Sequence, residues 1–418
     1  MMENHEPISS TEIHEEMASS SSTTATTTST TDNRLAQSTP STSLSHSKAH
    51  WKRMLDNLLK KAEIVLNGPN EWDPQIYNDA FYKRVMVEGS LGLGESYMDG
   101  WWDCKRLDIM FTKIFREGIE LPKNLNDIFR IAVYSVFNLQ TKIGALKVAK
   151  EHYDLGNDLF EGMLDPNMQY SCGYWKDAKN LNEAQEAKLK LICDKLCMKP
   201  GMTLLDIGCG WGGLACYAAK NYGVSVTGIT ISKEQQIYAQ ERCKDLPVEI
   251  KLVDYRDPLN KKFDRVVSVG MLEHVGSRNY KIYFETARKN ITDDGIFLVH
   301  TIGNRKPVTH TDAWIAKYIF PHGCLPSISG LASVFEDHFI VEDLHNIGQD
   351  YDPTLMAWYE NFIAIYPSLD HNIYNERFKR MWTFYLKACA GCFRSRDLQL
   401  WQFVLTPKGY EGGLRVPR

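Results

Sequence analysis

The segment Leu204-Leu205-Asp206-Ile207-Gly208-Cys209-Gly210-Trp211-Gly212-Gly213 constrains the fold more than any other. A short apolar run ends at an acid, and a Gly-x-Gly turn then leads into a helix expected over Leu214–Asn221. Such a turn lets backbone N–H groups at a helix N-terminus approach a ligand. Apolar runs and helical stretches alternate after it. Strands are expected at Thr203–Ile207, Val224–Thr230, Val248–Val253, Phe263–Val269 and Ile296–His300, with helices over Ser232–Cys243 and Tyr280–Asn290. This βαβαβ order predicts an α/β fold: an open, largely parallel, Rossmann-like sheet with helices on both faces.

The ligand of the glycine turn is narrowed by its neighbours. Gly208, Gly210 and Gly213 satisfy the Gly-x-Gly-x-x-Gly spacing of dinucleotide sites. Two details oppose that reading. Asp206 precedes the glycines, where it could pair with the aminopropyl-sulfonium portion of S-adenosylmethionine. The strand Val224–Thr230 also ends without the acid that usually holds an adenosine ribose, leaving polar contacts to Thr230, Ser232 and Gln235. S-adenosylmethionine is therefore favoured, with a nicotinamide cofactor or a ligand-free structural turn as alternatives. Asp254-Tyr255-Arg256-Asp257 fits the adenine edge of the same site.

The rest of the chain frames this unit. Twelve of the thirteen residues from Ser19 to Thr31 are Ser or Thr. Such composition cannot offset its ordering entropy, so residues 1–50 are expected to be a disordered tail. The tail's six acids against Arg34 and Lys48 account for the whole formal net charge of −4, which removes the large basic surplus of a nucleic-acid binder. Residues 51–145 read as a small, mainly helical, lipid- or membrane-associated N-terminal domain, and residues 146–418 as the catalytic domain. An amphipathic helix is expected from Trp51 to Leu66, with Lys52, Arg53, Lys60 and Lys61 off its apolar stripe, stopped by Asn67-Gly68-Pro69-Asn70. It packs on its own domain or lies on lipid. Gly89–Trp102, with three close glycines, reads as a structural turn packed down by Trp101 and Trp102. No apolar run approaches the ~20 residues of a membrane span. Ten cysteines dispersed over 418 residues suggest a reducing compartment rather than a disulfide scaffold.

Ionisable groups recur at strand ends and loops: Tyr170-Ser171-Cys172, Glu273-His274, His300, and Asp350-Tyr351-Asp352. Each alone has a structural explanation. Together with the glycine segment, Ser268-Val269-Gly270-Met271-Leu272-Glu273-His274-Val275-Gly276, His300-Thr301-Ile302-Gly303, Tyr318-Ile319-Phe320-Pro321, Gly323-Cys324-Leu325-Pro326-Ser327 and Trp401-Gln402, they closely resemble the cyclopropane-fatty-acyl-phospholipid synthase family. The resemblance runs from about Trp51 to Arg418 and includes His152-Tyr153-Asp154-Leu155-Gly156-Asn157. It implies a class I S-adenosylmethionine-dependent methyltransferase that transfers a methylene group to a cis double bond of a membrane phospholipid. The alkene takes the sulfonium methyl group, and loss of a proton from the added carbon closes the ring.

Carried over from the family, a bicarbonate ion is the base, held by Cys172, Glu273, His300, Tyr351 and the backbone at Ile302. A proton leaving a carbocation is very acidic, so a weak base suffices when well placed. Glu273 beside an anion should be protonated or accept the ion's own proton, and a cationic His300 would favour the anion. The family's cofactor segments match Tyr170, Ser171, Leu204, Leu205, Asp206, Ile207, Gly208, Cys209, Gly210, Trp211, Gly212, Thr230, Ile231, Ser232, Lys233, Glu234, Gln235, Tyr255 and Arg256. The family also assigns a nucleophile to the cysteine found here as Cys389, although ring formation has no covalent enzyme step that uses it. Cys392 completes a Cys-x-x-Cys outside any thioredoxin-like context. No metal site is expected. The resemblance further implies a homodimer working on unsaturated phospholipids from the cytoplasm, at the inner face of the membrane. The rival readings are a lipid C-methyltransferase leaving a methyl branch, a small-amine N-methyltransferase, and a lipid-binding protein without catalysis.

Overall fold

The computed structural model describes residues 41–122, 140, 156–308 and 310–418, with side chains from residue 49 onward. Residues 1–40 of the expected tail, most of the expected boundary near residues 140–150, and His152-Tyr153-Asp154-Leu155 lie outside the described residues, whereas residues 41–50, expected to be disordered, are helical.

The strands are β1 Gln75–Ile76, β2 Trp102–Asp103, β3 Thr203–Ile207, β4 Ser225–Thr230, β5 Val248–Leu252, β6 Phe263–Val269, β7 Ile291–Asn304, β8 Ile340–Asn346 and β9 Leu398–Thr406. β1 and β2 form a small antiparallel ladder, and the others form one sheet in the order β5-β4-β3-β6-β7-β9-β8. β5, β4, β3, β6 and β7 are mutually parallel. β9 runs antiparallel between β7 and β8. β3 therefore sits where the chain first leaves to one side, toward β4, and later returns on the other as β6. That switch point opens a crevice at the strands' C-terminal ends.

Both faces of this sheet are covered, as parallel strands require. Leu204 packs in a cluster with Leu189, Ile192 and Leu214. Its neighbour Leu205 points the other way, into a cluster with Phe263, Tyr283 and Phe297. The helices supplying these faces are α5 Leu181–Lys195, α6 Gly213–Tyr222, α7 Lys233–Arg242 and α8 Tyr280–Lys289. Ahead of them come α1 Ser41–Leu59, α2 Ala80–Met98, α3 Leu107–Arg116 and α4 Asn157–Met163. After them come α9 Ala313–Tyr318, α10 Ile328–Phe335, α11 Tyr351–Ile365 and α12 Glu376–Arg394.

Several expectations are corrected. β7 continues to Asn304 because β9 pairs with its second half, so His300 lies within a strand, opposite Gln402. The first helix stops at Leu59, where a 3-10 turn and Glu63 at φ 53° redirect the chain. Of the two readings of its apolar stripe, packing within the protein holds for Leu55, Leu59, Ala62 and Leu66, which are buried in the core, while Met54 and Val65 stay exposed. Lys52, Arg53, Lys60 and Lys61 remain exposed. The Gly89 segment is helical on both sides of a single kink at Gly89 (φ 60°, ψ −135°), so it is not a turn. Gly94 lets α2 lie against Trp314, since a Cβ there would fall 2.3 Å from the indole. Cys216 on α6 and Cys243 at the end of α7 form a disulfide, with Cα atoms 5.7 Å apart, where free thiols were expected.

The leading helices share one apolar cluster with α11 and α12, built around Trp102, Phe111, Trp314 and Phe384. Asp108 sits fully buried in that interface. Its carboxylate accepts from Arg394 at 2.7 Å and from Arg106 at 2.8 Å. Burial alone would raise its pKa, but the two guanidinium groups hold it well below the usual carboxylate range. A depressed folded-state pKa contributes stability above the unfolded value, which is lost as the pH falls below it. Asp108→Ala strands two arginines beside a buried interface. It is expected to cost about 3 kcal/mol in urea unfolding at neutral pH, with the difference from wild type shrinking in acid. An unchanged unfolding midpoint would mean that the pair contributes nothing.

Candidate active site

The crevice beyond β3, β4 and β6 holds a cavity of about 210 Å³. Asp206, the penultimate residue of β3, reaches its wall. It is 2% exposed, and its Oδ2 atom has no hydrogen-bond partner. Burial pushes its pKa up to about 7, with Lys188 opposing the rise. The turn that follows is fixed by the N–H groups of Gly208 and Cys209, which both donate to the Ile229 carbonyl at 3.0 Å. Gly210 adopts φ +53°, and a Cβ built there would meet no protein atom within 4 Å. An unpartnered buried carboxylate next to an open glycine turn suits a cationic, nucleoside-sized ligand.

The cavity is completed by the ends of neighbouring strands. Thr230, Ile231, Ser232 and Gln235 line it after β4. Ser232 caps α7 by accepting from the Gln235 N–H at 3.3 Å, and the Thr230 hydroxyl donates to Gln235 Oε1 at 3.0 Å. Asp254, Tyr255 and Arg256 line it after β5. Asp254 clamps Arg256 with two bonds of 2.7 Å, so this wall is preorganised. Tyr170 and Ser171 contribute from the chain before α5, with Ile207, Cys209 and Trp211 beside the glycines. Tyr170 belongs to an aromatic group. Phe160 and Trp358 lie 5.2 Å from its ring, and its hydroxyl is 2.9 Å from that of Tyr385.

Five of the sequence-derived cofactor residues do not line this cavity. Leu204 and Leu205 are core residues of β3. Gly212 caps α6, where its missing side chain admits Ala239. Lys233 and Glu234 are exposed on the first turn of α7, pointing away because the helix turns only Gln235 inward. Conversely, Met168, Gln169, Met271, His274 and His322 line the cavity without having been singled out for that role. Burial pushes His274 down to about 4, so it is neutral at pH 7.

A second group of polar residues lies buried beside the cavity. Cys172 is fully buried; its thiol donates to the Gly173 carbonyl at 3.2 Å and lies 3.8 Å from the Thr354 hydroxyl. Tyr351 stacks on Phe393 with ring centroids 4.3 Å apart. Burial, with Cys172 and Glu273 adding to it, raises the pKa of its phenol. Burial raises the Cys172 and Tyr351 pKa values, so both are neutral donors. Glu273 is pushed up to about 7 by burial, and its Oε2 has no partner.

Two expectations for this group are corrected. The Ile302 N–H does not stand free for a ligand, because it donates to Glu273 Oε1 at 2.7 Å. His300 is not a cation: burial, with Lys188 and Lys195 adding to it, drives its pKa well below 6.5. Its Nδ1 lies 3.2 Å from Gln402 Nε2, and its Nε2 has no partner. Cys389, on α12, does not line the cavity; burial pushes its thiol up to about 12, which leaves no thiolate nucleophile at pH 7.

Comparison with known proteins agrees with this geometry. The family model described as mycolic acid cyclopropane synthetase matches residues 140–403. The cyclopropane-fatty-acyl-phospholipid synthase of Escherichia coli (strain K12) is 60% identical over 371 residues, covering 88% of this chain and 96% of that protein. Tuberculostearic acid methyltransferase UfaA1 of Mycobacterium tuberculosis is 34% identical, over 79% of this chain and 82% of its own. Among solved structures, mycolic acid cyclopropane synthase CmaA1, complexed with SAH and CTAB, superimposes with a TM-score of 0.58 at 33% identity, covering 62% of this chain and 97% of that one. The fold, the unpartnered acid at the glycine turn and these likenesses converge: the chain belongs to the mycolic acid cyclopropane synthetase family and is an S-adenosylmethionine-dependent methyltransferase.

Proposed function

We propose that the enzyme transfers a methylene group from S-adenosylmethionine to a cis double bond of an unsaturated phospholipid acyl chain, forming a cyclopropane. The observation that carries this reading is the 60% identity to a cyclopropane-fatty-acyl-phospholipid synthase across 96% of that protein's length. The cofactor supplies an electrophilic methyl group. Asp206 and the glycine turn hold its charged end, and the Thr230–Gln235 and Tyr255-Arg256 walls hold its nucleoside. The aromatic faces around Tyr170 offer π-density to a lipid cation.

Bicarbonate, when bound, supplies a weak base for the closing proton. The group suits a small oxyanion: Tyr351 gives a neutral O–H, His300 Nε2 and Glu273 Oε2 are buried without partners, and the Cys172 S–H would turn from the Gly173 carbonyl to the ion. A Glu273 that titrates near 7 can carry a proton beside an anion without two bare charges meeting. Ile302 acts through Glu273, by fixing its Oε1.

Expression in a host that lacks cyclopropane fatty acids tests the product. Acyl chains should appear that are one CH₂ heavier and no longer react as alkenes. Chains heavier by CH₄ would instead identify a methyl-branching enzyme, and unchanged lipids would refute both.

Access to the bilayer is part of the proposal. Among the described residues no helix is long and apolar enough to cross a membrane. With Leu55 and Leu59 of α1 buried, contact at the inner leaflet is assigned to exposed charge such as Lys60 and Lys61. Each basic residue near an anionic surface contributes about 1 kcal/mol. Lys60→Glu with Lys61→Glu should therefore reduce sedimentation with anionic vesicles severalfold at low salt, with cofactor affinity unchanged. Wild-type binding by this variant would place the membrane-facing surface elsewhere. A homodimer is proposed with it, to be checked by light scattering.

A further inference from the structure

We propose that Lys188 is a positioning residue for the cofactor, its buried ammonium fixing from behind the Gln169–Ser171 wall of the cavity that Asp206 also lines. The inference rests on placing S-adenosylmethionine in the cavity beside Asp206. Lys188 lies on the inner face of α5 and is fully buried. Its Nζ donates to Gln169 Oε1 at 2.5 Å and to Ser171 Oγ at 2.9 Å. Gln185, on the same face, donates to the Ser171 carbonyl at 2.8 Å. Gln169 and Ser171 both line the cavity, so α5 grips that wall from behind.

Both of Lys188's bonding partners are neutral, which is an expensive way to bury a charge unless a compensating charge lies near. Burial pushes Lys188 down to about 8, so it is still charged at pH 7, and Asp165 and Asp206 oppose that fall through space. Asp206 is buried as well, and its carboxylate and the Lys188 ammonium act on each other through space. Lys188 bonds Gln169 and Ser171 rather than Asp206, and Asp206 Oδ2 has no partner. A bonded pair would have neutralised the site against its ligand.

The sign of the effect follows. Burial disfavours the Asp206 carboxylate, and Lys188 opposes that shift. Removing the ammonium should move the titration of Asp206 to higher pH. Affinity for a cation then falls by roughly tenfold for each unit by which that titration lies above the working pH.

The test is calorimetric titration of the full chain with S-adenosylmethionine from about pH 6 to 9, across the range where Asp206 should ionise. Wild-type affinity should rise as the pH passes through about 7. Lys188→Met should bind about tenfold or more weakly at pH 7, with its rise displaced to higher pH. Asp206→Asn should abolish the rise. A folded Lys188→Met with wild-type affinity and profile overturns the proposal. An unaltered pH rise in Asp206→Asn overturns it whether or not the lysine variant folds. Gly210→Val in the same assay separates the two ideas. If it binds like wild type, the cavity placement itself is wrong. If it loses binding while Lys188→Met does not, only the role of Lys188 falls.

Discussion

Glu273→Gln is expected to lower turnover on unsaturated phospholipid vesicles by ~10²-fold or more, the usual scale for losing a proton-handling group. The amide keeps the shape of the carboxylate and can still accept from the Ile302 N–H, so the local backbone should hold. It cannot exchange a proton at Oε2, the atom that is buried without a partner. Cofactor affinity should stay within error of wild type by calorimetry, because Glu273 does not line the cofactor cavity. Bicarbonate separates this reading from a general loss of structure. Wild-type rate should fall in a bicarbonate-depleted preparation and return when the ion is added.

The pH dependence of that rescue has a definite sign. Glu273 is pushed up to about 7. Below that value its carboxyl is neutral and tolerates an anion; above it the carboxylate repels one. Apparent affinity for bicarbonate should therefore weaken as pH rises through about 7 in the wild type, and the amide variant should lack this dependence. A wild-type rate indifferent to bicarbonate would remove the ion from the mechanism while leaving methylene transfer intact.

What could be read from the sequence was set by local pattern. Asp206 before Gly208-Cys209-Gly210 declares both the turn and its ligand class, because no side chain other than glycine's leaves such a backbone open. The five parallel strands are short apolar runs with helices between them, and each was legible within a few residues. The antiparallel strands β8 and β9 were not. Residues 340–346 are exposed or half-buried along an edge, and their pairing with 401–406 is a long-range event with no local signature. The same event extends β7 and puts His300 against Gln402, in a buried setting that, with Lys188 and Lys195, holds its pKa well below 6.5.

Burial also hid functional groups that composition presents as surface. Lys188 stands in a charged helix, Asn182-Glu183-Ala184-Gln185-Glu186-Ala187-Lys188, and reads as solvated. Its spacing gives a signal that could have found it: Leu181, Ala184, Lys188, Leu191 and Lys195 share one inward face. At α1 the stripe left packing and lipid contact both open, and Leu55 and Leu59 are core. Periodicity identifies a buried face but not what buries it.

Gly210→Val should weaken S-adenosylmethionine binding by ~10²-fold or more, equivalent to about 3 kcal/mol or more of binding free energy. Two effects act together. The residue sits at φ +53°, where a β-branched side chain is strongly disfavoured, so the turn is pushed away from its present path. The added isopropyl group also enters space that no protein atom occupies within 4 Å, on the wall where the ligand needs the backbone. Because nothing in the protein is struck, the variant should fold, at a cost of about 1–2 kcal/mol for the left-handed conformation. Gly208 is a poorer choice for the same test, since its Cβ would lie 2.9 Å from the Met271 side chain and mix packing with binding. The variant is read by calorimetry at fixed pH, alongside a thermal melt to confirm folding. Lost affinity with a cooperative melt places the cofactor against Gly210. Wild-type affinity in a folded protein would show that the ligand binds elsewhere, and with it the assignments of Asp206 and of the Thr230–Gln235 wall would fall.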